Sequence, residues 1–110
     1  MLLESQLNET ENAWEINIYG EVDIYNASEL KQGLSRLIDD KKANIYLHCE
    51  NLKYIDSTGL GVLVSILKKI KDQGFTVKIL GIASHLKKIF DLTGLNKLFE
   101  IEEQAQNAEQ

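Results

Sequence analysis

The hydroxyl of Ser57 is the first candidate for chemistry in this chain. It lies in Asp56-Ser57-Thr58-Gly59-Leu60-Gly61, between a strand-like run and a long apolar stretch. A serine at a strand-to-helix turn can be a nucleophile, but a hydrolase elbow needs glycine two residues before it, and Ile55 stands there. The histidines that could act as base are His48 and His85. His48 falls mid-strand in the polar register and His85 at the start of a surface helix, so spacing alone assembles no triad. Gly59 and Gly61 supply only the first part of a dinucleotide-binding G-x-G-x-x-G, because position 64 is Val64, and no P-loop run occurs. The two glycines read instead as a device that lets a helix start close to neighbouring backbone. His48 and Cys49 are adjacent in a strand and point to opposite faces, so they cannot chelate a metal together. No catalytic residue, metal ligand or cofactor is expected.

What remains is the polar trio Asp56, Ser57 and Thr58 at a helix start. Capping alone accounts for these residue types, since all three can satisfy free helix N–H groups. The functional alternative is phosphorylation of Ser57, because free N–H groups and the positive end of the helix dipole tolerate a phosphate. Leu60, Leu63 and Val64, half a turn further on, could then border a partner surface. The segment Gly20-Glu21-Val22-Asp23-Ile24-Tyr25 also stands out, with two carboxylates and an apolar pair between a strand and a helix. It reads equally well as a solvated connection or as a contact surface.

The elements that must position these residues follow from periodicity. Trp14, Ile16 and Ile18 alternate with Glu15, Asn17 and Tyr19, which predicts a half-buried strand ending at Gly20. Leu3 and Leu7 mark a weaker edge strand before it, joined by a polar turn near residues 8–12. Asn26 is expected to cap a helix with Glu29 completing a capping box, and Leu30, Leu34, Leu37 and Ile38 form its apolar face. Ile45, Leu47 and Cys49 give a further strand. A second helix runs from the serine motif to about Gly74, Phe75 to Gly81 is a strand, and Ser84 caps a third helix carrying Leu86, Ile89 and Phe90 and stopped near Gly94. A short strand or helical turn lies around Leu98–Ile101. The order β-β-α-β-α-β-α predicts an α/β fold with a mostly parallel sheet and an antiparallel N-terminal hairpin. Strict alternation in the strands puts the helices mainly on one sheet face and leaves the other more open.

The 110 residues make one domain, 44% hydrophobic and 26% charged. The net charge of −5 argues against general nucleic-acid binding. Four glutamates and no basic residue lie from Glu100 to the C-terminus, so residues 1–99 carry 12 − 13 = −1 and the tail holds most of the charge. A single cysteine excludes a disulfide scaffold and a multi-cysteine zinc site. No apolar run approaches the roughly 20 residues of a membrane span, and Met1-Leu-Leu-Glu-Ser lacks the basic region of a signal peptide, so a cytoplasmic protein is expected.

The motif Asp56-Ser57-Thr58-Gly59-Leu60-Gly61, preceded by Asn51-Leu52 and Tyr54-Ile55, resembles the signature of bacterial anti-sigma factor antagonists, the STAS-domain family. Gly20-Glu21-Val22-Asp23 followed by Asn26-Ala27 is a second match, and Ile89-Phe90-Asp91-Leu92-Thr93-Gly94-Leu95 a third. Order and spacing agree over roughly residues 3–102. The resemblance implies a single STAS-type domain over 1–102, followed by a polar acidic tail over 103–110, and no catalytic activity. It implies that Ser57 is phosphorylated by an anti-sigma factor that is also a serine kinase, and that a metal-dependent serine phosphatase resets it. The unphosphorylated form would bind the anti-sigma factor and release the sigma factor. The kinase brings the ATP, so no cofactor is implied. Carried over residue by residue, the partner-binding set is Glu21, Asp23, Asp56, Ser57, Thr58, Gly59, Leu60 and Gly61, with Thr58 as a second hydroxyl. No direct nucleic-acid or membrane contact is expected, and a monomer is the default. The runner-up is the same phosphorylation-switched module in another stress-signalling or scaffold circuit.

Overall fold

In the computed structural model, which describes residues 1–105, six strands and three helices follow in the order β1 (Leu2–Asn8), β2 (Ala13–Val22), α1 (Ala27–Asp40), β3 (Asn44–His48), β4 (Leu52–Ile55), α2 (Ser57–Lys71), β5 (Val77–Ile82), α3 (Ser84–Thr93) and β6 (Glu100–Glu103). β1 and β2 pair antiparallel as the expected hairpin, with Leu3 opposite Ile18 and Leu7 opposite Trp14. The remaining ladders are parallel, in the order β1-β2-β3-β5-β6, with β4 paired to β2 alone. The α/β class, the hairpin and the mostly parallel mixed sheet match the sequence-based expectation.

Period-two alternation does the work that was read from it. Trp14, Ile16 and Ile18 of β2, Ile45 and Leu47 of β3 and Val77 and Ile79 of β5 are buried on one face. They pack with Leu30, Leu34 and Ile38 of α1, Leu63, Ile66, Leu67 and Ile70 of α2, and Leu86 and Phe90 of α3. The opposite face is uncovered and polar. His48 Nε2 lies 2.6 Å from Glu15 Oε1, and Lys78 Nζ sits 4.9 Å from the centre of the Tyr46 ring. Cross-strand pairing of this kind lets a sheet face meet water without a helical cover.

The strand β4 is a correction, because the sequence reading passed from β3 directly to the serine motif. Its burial runs buried, exposed, exposed, buried, so it carries no period-two signal. It exists because β2 is long enough to serve two partners. Ala13–Asn17 of β2 pair with β3, and Gly20–Val22 pair with β4. The register shifts between Gly20 and Glu21, where Gly20 has φ +91°, a conformation that costs glycine little. That irregularity turns the end of β2 away from β3 and onto β4.

Three helix ends also differ from expectation. Asn26 precedes α1 but makes no side-chain cap, and Ala83, not Ser84, is the residue before α3. Gly74 adopts φ +88°, two residues beyond the last capping residue of α2. The C-terminal element contains both options, a single 3-10 turn at Leu95–Lys97 and then β6. Gln104 N–H continues the β6 contact by donating to Ile82 O. Of the expected polar acidic tail over 103–110, residues 103–105 are described, with Glu103 in β6, and residues 106–110 lie outside the described residues. Among the described residues no helix is long and apolar enough to cross a membrane.

Candidate functional site

The end of β2 and the end of β4 run side by side, with Glu21 paired to Tyr54 and Val22 to Ile55. The chain then leaves each strand within one residue. Asp56 N–H donates to Val22 O at 3.1 Å, which holds the two exits together. One exit becomes the loop 23–26 and the other becomes α2. Two segments separated by more than thirty residues in sequence are thereby brought to one edge of the sheet.

Asp56 is the N-cap of α2, in extended conformation, as its residue type allows. Its Oδ1 accepts from the backbone N–H of Thr58 at 2.9 Å and of Gly59 at 3.3 Å, and from the Thr58 hydroxyl at 2.5 Å. Leu60 N–H donates to the Asp56 carbonyl. The carboxyl group is held below the usual carboxylate range, chiefly by the Thr58 hydroxyl. Partial desolvation opposes this, and the N–H groups of Gly59, Thr58 and Ile24 assist.

Ser57 occupies the first helical position and is exposed. Among the described residues its hydroxyl makes no hydrogen bond, whereas the neighbouring Thr58 hydroxyl is engaged by Asp56. The two hydroxyls of the motif are thus chemically different. The Ser57 oxygen is free to meet an incoming electrophile, and Thr58 would first have to release its cap. Of the three expected caps, Asp56 performs the role, so Ser57 contributes none of it. His48 is committed to Glu15 on the open sheet face, and His85 is exposed at the start of α3, as surface residues would be.

The loop 23–26 is held by its own hydrogen bonds. Asp23 N–H donates to Asn26 Oδ1 at 2.9 Å, Tyr25 N–H to Asp23 Oδ1 at 3.0 Å, and Asn26 Nδ2 to Glu21 O at 2.8 Å. Ala27 N–H donates to Asp23 O at 2.9 Å. Asn26 therefore spends its side chain on bracing the loop, which is why it does not cap α1. Asp23 is half-buried and is part of this brace, and Glu21 is exposed.

The partner-binding set divides on burial. Glu21, Ser57, Thr58 and Gly61 are exposed, and Asp23 and Asp56 are half-exposed. Gly59 and Leu60 are buried, and Leu63 with them, so the idea that Leu60 and Leu63 border a partner surface is corrected: both side chains face the core, with only half-buried Val64 reaching the surface. The glycines differ as well. A Cβ on Gly59 would come within 2.7 Å of Ile55 Cγ1 and Val22 Cγ1, whereas one on Gly61 would meet nothing within 4 Å. Only Gly59 lets the helix start close to its neighbours, and what it approaches is side chain rather than backbone.

The partner-binding set carried over by resemblance omits three exposed apolar residues. Ile24 is 68% exposed, Tyr25 92% and Tyr54 46%. The apolar content of the 20–25 segment was visible, but which of its residues face water depends on the turn of the loop. Cys49 is buried as expected, and burial pushes its thiol up to about 12, with the Glu50 charge adding to the effect.

Comparison with known proteins agrees with this architecture. The chain is 36% identical over 90 residues to the anti-sigma-B factor antagonist of Staphylococcus aureus, covering 82% of this chain and 83% of that one. It is 35% identical over 101 residues to the anti-sigma-B factor antagonist of Bacillus subtilis, covering 92% of each. Its fold matches that of the Bacillus cell fate determinant SpoIIAA in the phosphorylated form, with a TM-score of 0.69 and 19% identity over 98% of this chain and 95% of that one. These relatives are regulators rather than catalysts by name. The family model described as the STAS domain matches residues 4–108, and the chain belongs to the STAS domain family.

Proposed function

We propose that this chain is an anti-sigma factor antagonist whose unphosphorylated form binds an anti-sigma factor and so releases a sigma factor. The relatives named as anti-sigma-B factor antagonists support the reading over most of the chain. The single observation that carries the switch is the exposed, unbonded hydroxyl of Ser57 beside a Thr58 hydroxyl that Asp56 already engages.

In this reading the anti-sigma factor is also the serine kinase. Ser57 Oγ attacks the γ-phosphorus of the ATP that the kinase brings. The new O–P bond replaces the bond to ADP, and the hydroxyl proton passes to a base of the kinase. The phosphate adds about −1.5 to −2 charges next to the ionised Asp56. Asp56 and the first helical turn already use the N–H groups of Thr58, Gly59 and Leu60, so the phosphate finds few donors on this chain and remains at the surface. Within a closed interface those charges must be desolvated, and beside partner carboxylates they are repelled. Phosphorylation thus blocks the complex locally, and a metal-dependent serine phosphatase restores the active form.

Glu21, Asp23, Asp56 and Thr58 offer polar contacts to the partner, Gly61 leaves an exposed helical position without a side chain, and Gly59 and Leu60 act from beneath by placing the helix. The chain acts as a monomeric, non-catalytic binding module in the cytoplasm, with the STAS domain over 1–102 and an acidic tail beyond it. The test is to incubate the chain with its anti-sigma factor kinase and ATP, map the phosphate by mass spectrometry, and compare binding of both forms by calorimetry. Modification at Ser57 and at least about a tenfold loss of affinity, 1.4 kcal/mol, are expected. Modification elsewhere, or equal affinity, refutes the reading.

A further inference from the structure

Ile24 and Tyr25 are adjacent in sequence and both project into water. Single exposed apolar residues are ordinary. An adjacent pair in a braced loop is less so, because the loop does not need them: its fold rests on the hydrogen bonds among Glu21, Asp23, Tyr25 and Asn26. Tyr54 of β4, which pairs with Glu21 at the root of the same loop, is also exposed. The loop starts beside the acceptor segment, because Asp56 N–H, next to Ser57, donates at 3.1 Å to the carbonyl of Val22, where the chain leaves β2 for the loop. Its rim is acidic, made by Glu21, Asp23 and Asp56.

We propose that Ile24 and Tyr25 are the apolar anchors of the interface with the anti-sigma factor, which receives them in an apolar pocket with a basic rim. The inference rests on the function proposed above and adds to it the residues that carry affinity. Tyrosine is enriched among residues that dominate binding energy, since it offers a large rigid surface with few rotatable bonds. The braced backbone removes most of the ordering cost of the loop, so burial of the two side chains converts more fully into affinity. The acidic rim selects a partner pocket edged by lysine or arginine and disfavours a second copy of this chain, whose matching rim is also acidic.

The experiment titrates an anti-sigma factor kinase from the source organism into the full chain by calorimetry, and measures KM for the phosphorylation of each variant. Tyr25→Ala is expected to weaken binding at least tenfold and Ile24→Ala at least threefold, with unchanged melting temperatures, because both side chains are exposed. Leu92→Ala, at an exposed apolar residue on α3, is expected to bind within twofold of the unaltered chain. Tyr25→Ala and Ile24→Ala both within twofold in affinity and KM, with Ser57 still phosphorylated, would overturn the anchor assignment and leave the proposed function standing. Self-association of the free chain that is lost in Tyr25→Ala would overturn it in favour of a second copy as occupant. An unaltered chain that neither binds nor is phosphorylated by the kinase refutes the function and the anchors together.

Discussion

Replacing Gly59 and Gly61 by alanine, one at a time, separates two residues that look equivalent in Gly59-Leu60-Gly61. On propensity alone each change stabilises a helix by up to about 1 kcal/mol. At Gly61 nothing opposes that gain, since the position is exposed and a Cβ meets no atom within 4 Å. At Gly59 the new methyl lies 2.7 Å from both Ile55 Cγ1 and Val22 Cγ1 and 3.0 Å from Ile55 Cδ1. Ile55 and Val22 are themselves 1% and 0% exposed, so neither has room to yield. Overpacking of this kind costs roughly 1–3 kcal/mol, which offsets the helix gain and leaves a net loss of up to about 2 kcal/mol. One kcal/mol moves the melting temperature of a domain this size by about 4–8 °C, so the two variants should melt on the order of 10 °C apart on opposite sides of the unaltered chain. Thermal unfolding followed by circular dichroism decides it. Equal melting temperatures, or a destabilised Gly61→Ala, would refute the claim that Gly59 alone sets the approach of α2 to β2 and β4. A further consequence is that Gly59→Ala lifts the start of α2, so its affinity for the anti-sigma factor should fall more than that of Gly61→Ala.

Ser57→Ala should melt within about 0.5 kcal/mol of the unaltered chain, because an exposed hydroxyl without a hydrogen bond is removed, and it should bind the anti-sigma factor while accepting no phosphate in a radiolabel assay. Asp56→Ala should lower the melting temperature clearly more than Ser57→Ala does, because Asp56 supplies the cap of α2; identical melting curves would assign the cap elsewhere. Burial alone would raise the Glu15 carboxyl, but the hydrogen bonds from His48 and Asn8 and the charge of His48 outweigh it and hold the group below its ordinary value of 4.5. The contribution of Glu15 is therefore complete above that value and is lost as pH falls through the lower folded value, so Glu15→Gln should flatten the dependence of stability on pH on the acid side of about pH 4.5. Cys49 should resist an aromatic disulfide reagent in the folded chain and react only on unfolding; prompt reaction at neutral pH would contradict its burial.

Much of this protein is written in local pattern. The alternation of Trp14, Ile16 and Ile18, of Ile45 and Leu47, and of Val77 and Ile79 determines three strands and which face of each is buried, because a pleated strand turns every second side chain the same way. The spacing of Leu30, Leu34 and Ile38 does the same for α1. The motif around Ser57 and the Gly20–Asp23 segment mark the candidate site, and they carry the resemblance to the STAS family. Tertiary structure alone decided the rest. β4 has no periodic signal, and it forms only because β2 bends at Gly20 and offers a free edge. Asn26 is as good a cap by type as Asp56, yet it braces the loop, because Glu21 O and Asp23 N–H lie within its reach. Gly59 and Gly61 differ only in what stands opposite them, which no spacing records. Leu60 reads as a surface candidate in the motif and proves to be core, while Tyr25 and Ile24 prove to be surface. Burial depends on where the chain turns at the end of a strand, and that turn is set by the contact between the exits of β2 and β4.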